Sequence, residues 1–333
     1  MNKMFFGELK NNEEIHKYIL KNSVASLTLT DFGAAIVSFD VYGKDIVGGY
    51  DNLEDYLVDD SHQGATIGRV ANRIANAEFT MDSVVYRLPK NDGENCLHGG
   101  NGFDRRVWSV KEYTDNKITF TYTAKDKEEG FPGALEITVS YTLVDSSIII
   151  NYTAIPDKKT PIALTNHSYF NLNGFGDTIL THKAQIFADT YTEVDESLIP
   201  NGKHPSVEGT VFDLRAPKAI GTHVGEDFVG YDHNFVLSPS VYENFGEKKL
   251  ALAAIVTADE LSLSVYTDQP GTQFYIGNFL GGAPDFKNGV KRVRHGAFCL
   301  ETQTEPNCIN SGVGFYEKGD IYTHTTVYKV GKI

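Results

Sequence analysis

Cysteine is scarce in this chain. Cys96, Cys299 and Cys308 are the only three in 333 residues, an odd number without close pairing, so no disulfide framework is expected. Basic residues are outnumbered, 30 Lys and Arg against 44 Asp and Glu, giving a formal net charge of −14. With no basic cluster to compensate, nucleic acid is not an expected partner, because the phosphates would be repelled. No apolar run approaches the ~20 residues that span a bilayer, so no membrane partner is expected. Met1 to Lys10 lacks a basic end followed by an apolar stretch, so no secretory signal is read and the expected address is cytoplasmic. The ten histidines show no H-x-x-x-H spacing, and C-x-x-C is also missing; a metal would need ligands gathered wholly by the fold. There is no G-x-S-x-G elbow for a serine nucleophile. The glycines after His98, Gly99-Gly100-Asn101-Gly102, precede neither a Lys-Ser/Thr pair nor a helical pattern, which makes them turn glycines and not a phosphate loop. No metal and no cofactor is therefore expected.

What is present points to strands. Twenty Phe, 18 Tyr and 31 Gly suit aromatic-bearing strands joined by tight turns. Apolar residues alternate with polar ones at Ala25, Leu27 and Leu29, at Ile118, Phe120 and Tyr122, from Leu135 to Leu143, and at Leu261, Leu263 and Val265, the period of a half-buried strand. Helical periodicity is limited to a turn or two around Asp51 to Leu57. Turn signals such as Asn91-Asp92-Gly93, Asn201-Gly202 and Pro270-Gly271 punctuate the runs without dividing them. The reading is an all-β chain, residues 1–333 forming a single domain built as a large antiparallel β-sandwich. Two packed β-domains split near residue 155 are the alternative.

A few polar segments stand out as chemistry. From Ala163 to Leu172 a strand would place Thr165, His167, Tyr169 and Asn171 on one face, and Leu164, Phe170 and Leu172 on the other. A lone strand histidine is usually a hydrogen-bonded imidazole of the interior, yet the polar company of His167 suits acid/base work equally well. Glu301 ends the apolar run Ala297-Phe298-Cys299-Leu300; partial burial there would raise its pKa toward a useful base, whereas a solvated strand end would leave it inert. Asn72 and Arg73 offer donors, with a structural salt bridge as the plainer role. Asp232, in Tyr231-Asp232-His233-Asn234, could accept from sugar hydroxyls or simply form a turn. Cys96 is better read as a buried thiol than as a nucleophile.

Taken in order, Gly68-Arg69-Val70-Ala71-Asn72-Arg73-Ile74, Asn95-Cys96-Leu97-His98-Gly99-Gly100, Asn166-His167-Ser168-Tyr169-Phe170, Gly230-Tyr231-Asp232-His233-Asn234-Phe235, Pro270-Gly271-Thr272-Gln273-Phe274-Tyr275 and Glu301-Thr302-Gln303 resemble the aldose 1-epimerase (galactose mutarotase) family. The resemblance runs from about Ala25 to Asn310. It implies a single-domain galactose mutarotase-like supersandwich acting on free hexoses without metal or cofactor. It further implies Glu301 as general base and His167 as general acid, His98 beside the ring oxygen, and Asn72, Arg73, Tyr169, Asp232 and Gln273 as substrate-binding residues. The chain departs from the family pattern at Thr304-Glu305-Pro306-Asn307-Cys308 and at Val211-Phe212-Asp213-Leu214. Two other readings of the same residues are a glycoside hydrolase using Glu301 and Asp232, and a sugar-binding sandwich with no catalysis.

Overall fold

The computed structural model describes residues 2–333. The alternating segments form strands of antiparallel sheets, and the one α-helix among the described residues, Leu53–Val58, falls where the short helical pattern lies. Asn52 caps it, its side-chain oxygen accepting from the Asp55 backbone N–H at 2.9 Å, which satisfies one of the donors a helix start leaves free.

A five-stranded meander opens the chain: Asn2–Glu8, Glu14–Lys21, Ala25–Thr30, Ala35–Val41 and Lys44–Asp45. Opposite it lies a ten-stranded sheet. Its centre is Leu135–Val144, Ser147–Pro156, Tyr322–Lys332 and Leu261–Thr267, each hydrogen-bonded to the next in that order. The inward residues of both sheets, Leu20, Leu27, Leu29 and Phe39 from one and Phe120, Ile137, Val139, Tyr141, Ile148 and Ile150 from the other, meet in one buried cluster. This is the sandwich core, and its apolar area is what drives the two layers together.

A smaller four-stranded sheet carries the polar motifs, in the order Ala188–Tyr191, Asp232–Leu237, Gly271–Tyr275 and Cys299–Gln303. Directly opposed residues share a face. Gln273 opposes both Asn234 and Glu301, and Asp232 opposes Tyr275. Asp232, Gln273, Tyr275 and Glu301 therefore project together, while Phe235, Phe274 and Leu300 project the other way into the sandwich core. The alternation of these three short strands fixes which face can be functional.

The segment from Ala163 to Leu172 departs from expectation. Only Thr165–Asn166 is strand, paired with Thr66–Ile67; beyond it the chain is irregular, touching other segments through single bridges at Phe170. The polar residues serve this irregular backbone. Thr165 Oγ1 donates to Thr302 O at 2.9 Å, Asn166 Nδ2 to Gly64 O at 2.8 Å and Asn171 Nδ2 to Gly296 O at 2.9 Å. Buried carbonyls outside a ladder need such partners, so polarity there marks side-chain bracing as well as a site.

Candidate active site

Glu301 sits mid-strand and is buried. Its neighbours hold it still. Tyr328 Oη donates to Leu300 O at 3.0 Å, and Thr302 Oγ1 lies 3.0 Å from His324 Nε2, whose other nitrogen is 3.0 Å from Leu164 O. Glu301 Oε2 has no hydrogen-bond partner in the protein, an unusual state for a buried carboxyl oxygen. Oε1 lies 3.7 Å from His167 Nε2.

The imidazoles come from loops. His98 follows the two-residue strand Cys96–Leu97, which pairs with Arg73–Ile74. His98 and Asn72 clasp each other: the His98 N–H donates to Asn72 O at 3.1 Å and the Asn72 N–H to His98 Nδ1 at 3.2 Å. With Nδ1 accepting, the proton of a neutral ring stays on Nε2. Both residues adopt positive φ, 53° and 62°. His167 is placed by its own backbone, N–H to Ala65 O and O from the Gly64 N–H, both at 3.0 Å. The His98 and His167 rings meet nearly edge-on, centroids 5.3 Å apart.

These groups line one cleft of about 220 Å³ together with Asn72, Arg73, Tyr169 and Asp232. That is below the roughly 300–1,000 Å³ of pockets for drug-sized ligands and suits a single sugar ring. Arg73 both lines the cleft and pairs through Nε with Asp92 at 2.7 Å, so the structural and site readings of it are combined. Gln273 stands one layer back, donating to Asp232 Oδ1 at 2.7 Å. Cys96 is buried in an apolar cluster with Phe79 and Phe131. The departing segment past Glu301 braces the site from behind: the Asn307 N–H donates to Arg73 O at 2.8 Å, and Glu305 binds His204 at 3.0 Å.

Several lining residues lie outside the expected site set. His62, Arg292, Tyr275 and the exposed Phe279 belong to the wall. Arg292 ties the Gly281–Ala283 rim to the 50s segment, donating to Gly281 O at 3.0 Å, Ala283 O at 2.7 Å, Tyr50 Oη at 2.7 Å and Asp59 Oδ1 at 2.7 Å. Tyr275 Oη accepts from the Phe279 N–H at 3.0 Å. The polar run Asp59-Asp60-Ser61-His62-Gln63 was the available hint for His62.

Burial dominates the electrostatics. Desolvation pushes the Glu301 carboxyl well above its usual range, the Asp232 charge pushes further, and Arg73 opposes both. Asp232 is also raised by burial, against the pull of Arg73 and Gln273. Burial lowers His167 to about 3, with His62 adding to the effect. His98 falls well below the imidazole range by burial, then by the charges of His62, His167 and Arg73. A dry interior penalises charged forms of either sign, so without a bound sugar the shared proton rests on Glu301 and His167 is neutral. His98, His167 and Glu301 bring three ligand-type atoms within 4.8 Å of one another. The Asn72 bond nevertheless leaves His98 presenting an N–H to the cleft, where a metal needs a lone pair.

Comparison with known proteins fits this geometry. A sequence profile of the aldose 1-epimerase family matches residues 16–329. The galactose mutarotase of Mus musculus is 43% identical, covering 97% of this chain and 96% of that one. The aldose 1-epimerase of Escherichia coli (strain K12) is 41% identical over 79% and 78% of the two chains. An aldose epimerase homologue from C. elegans superposes with a TM-score of 0.87 at 29% identity, covering 95% of this chain and 99% of that one. With a profile spanning nearly its whole length and relatives this similar across most of theirs, the chain belongs to the aldose 1-epimerase family.

Proposed function

We propose that this protein is an isomerase that interconverts the α and β anomers of free hexoses, galactose and glucose foremost, in the cytoplasm. Glu301 removes the proton of the anomeric hydroxyl while His167 protonates the ring oxygen; the open aldehyde turns about its bond to C2 and recloses on the other face. Nothing but protons moves, so two proton carriers and a set of hydroxyl anchors suffice. The observation that carries this reading is the buried Glu301 with an unpartnered Oε2, facing His167 across 3.7 Å in a cleft sized for one ring.

Sugar binding readies the pair. A neutral Glu301 with neutral His167 holds the same number of protons as a carboxylate with an imidazolium. A hydroxyl donating to Glu301 and a ring oxygen accepting from His167 favour the charged arrangement. His98 is less suited to be the acid, since its Nδ1 already accepts from the Asn72 N–H and protonation there would break that bond. It serves instead as a fixed donor. Asn72, Arg73, Tyr169 and Asp232 hold the hydroxyls, with Gln273 orienting Asp232. A hydrolase would need room for the leaving group beside the Glu301 and Asp232 carboxyls, and a mere sugar-binding module has no use for a buried Glu301 and His167 together.

Polarimetry of freshly dissolved α-anomers tests the class and the preference at once. The decay of rotation accelerates with the protein if the reading holds and is unchanged if it fails. No metal takes part in the proposed chemistry, so exhaustive chelation leaves the rate intact.

A further inference from the structure

Both nitrogens of the His167 ring face side chains of one strand. Cys299 and Glu301 lie two residues apart in Cys299–Gln303, so they project from the same face, about 6.6 Å apart. An imidazole is short enough to sit across that gap. Its Nε2 lies 3.7 Å from Glu301 Oε1, and its Nδ1 lies 3.7 Å from Cys299 Sγ, a separation at which sulfur, larger than oxygen, still bonds. Among the described residues the sulfur is the one hydrogen-bond partner of Nδ1. Cys299 is fully buried and packed with Tyr169 and Tyr275. Burial, then the charges of Glu301 and Asp232, hold its thiol well above the ordinary range. It is a neutral thiol and inert as a nucleophile, but its sulfur can accept a hydrogen bond and its S–H can give one.

The choice between those two roles decides which nitrogen of His167 is bare. A thiol donating to Nδ1 leaves the ring's proton on Nε2, pointing an N–H at Glu301. A sulfur accepting from Nδ1–H leaves a lone pair on Nε2. Only the second suits a ring whose Nε2 faces a neutral carboxyl, which has an O–H to give and needs an acceptor. We propose that Cys299 is the positioning residue of His167: its sulfur accepts the Nδ1–H and fixes the tautomer whose bare Nε2 faces Glu301. The inference rests on the acid/base reading of that pair. When sugar binds, the Glu301 O–H proton passes to Nε2, leaving a carboxylate and an imidazolium. The imidazolium gives the Nε2 proton to the ring oxygen and the carboxylate takes the anomeric hydroxyl proton, so opening the sugar returns both groups to their starting forms. Sulfur suits the post because it is a weak acceptor. A carboxylate in its place would stabilise the imidazolium and blunt it as an acid.

The test pairs nitrogen NMR of the ligand-free protein, which tells an Nδ1–H ring from an Nε2–H ring, with kcat and KM by polarimetry. The wild type, Cys299→Ala and Cys299→Ser are compared, and the His167 signals are assigned by their loss in His167→Gln. The wild-type ring is the Nδ1–H form. Cys299→Ala removes the acceptor, so the Nε2–H form gains population and kcat falls by about two- to tenfold, the effect of one ordinary hydrogen bond. KM, set by the hydroxyl anchors, stays within about twofold. Cys299→Ser restores an acceptor and with it the tautomer and kcat, a rescue that packing alone would not give, because serine and alanine both lack the bulk of sulfur. A wild-type ring in the Nε2–H form overturns the proposal, as does an alanine variant with the wild-type tautomer or kcat. If neither variant folds, the wild-type spectrum alone decides the tautomer. A wild type that does not accelerate mutarotation overturns the acid/base reading, and its spectrum still decides whether the sulfur accepts.

Discussion

Each of the three titratable residues that meet in the cleft is defined by what its atoms have left to bond. Glu301 has an unpartnered oxygen, His98 has one nitrogen committed to the backbone, and His167 has Nε2 turned toward the carboxyl. Glu301→Gln keeps the shape and loses the basicity, so kcat falls by about 10²–10⁴-fold while galactose affinity by calorimetry stays within about tenfold. The paired shifts bear on the pH profile. The carboxyl is raised and the imidazole lowered, so the one-proton state of the pair spans the interval between them. The plateau of kcat/KM is therefore wider than the ~4.3 to ~6.5 gap of the free groups, with limbs that belong to the pair. His167→Gln erases this two-limbed form, whereas His98→Gln retains it at a lower rate. The opposite pattern in a pH series would make His98 the acid.

At the scale of elements, the loops that present the histidines are as constrained as the strands. Gly99 has φ +80°, and a Cβ there would stand 2.5 Å from Gly68 O and 2.6 Å from Arg69 N, backbone atoms with nowhere to go. Gly99→Ala therefore costs about 1–3 kcal/mol, read as a lower urea midpoint, and displaces His98 enough to lower kcat. The sandwich, the short helix and the meeting of Glu301, His167 and His98 in one cleft are legible because alternation and motif lie in contiguous residues. The Ala163–Leu172 segment departs from the strand expected because Thr165 and Asn171 look like one polar face, while their side chains brace the carbonyls of Thr302 and Gly296. Arg292 has no signal in the sequence, and His62 has only the polar run around it. They enter the wall only because Asp104 and the Gly281–Ala283 rim come to meet them, contacts that no local pattern records. Gln273, expected in direct contact with sugar, stands behind Asp232 and donates to its Oδ1.

For the whole molecule, buried neutral histidines set the response to acid. His167 is lowered to about 3, His182 and His324 to about 4, each chiefly by burial. Between those values and ~6.5 the unfolded chain binds protons that the folded one refuses, so stability is full above ~6.5 and falls as pH drops through this window. Each such histidine contributes up to about 1.4 kcal/mol per pH unit there. Urea midpoints should decline from pH 6.5 to 4; a flat series would show that the protons taken up on folding by the raised carboxyls of Glu301 and Asp232 offset those the rings refuse. We propose that the chain unfolds as one domain, so each of these curves is a single transition.

The strand Tyr322–Lys332 lies between Ser147–Pro156 and Leu261–Thr267 in the large sheet, although it is the last strand in sequence order. It acts as a keystone. Until it is seated, both neighbours present long open edges, the kind of surface that captures other chains. It also delivers His324 and Tyr328, the side chains that steady the strand bearing Glu301. If Glu301 is the base proposed above, completion of the sheet and the steadying of that base are one event, and a growing chain has no partially active stage. A protein ending before Tyr322 should be found in the pellet, not in the supernatant with reduced turnover, and supplying the missing strand as a separate peptide during refolding should restore solubility and catalysis together.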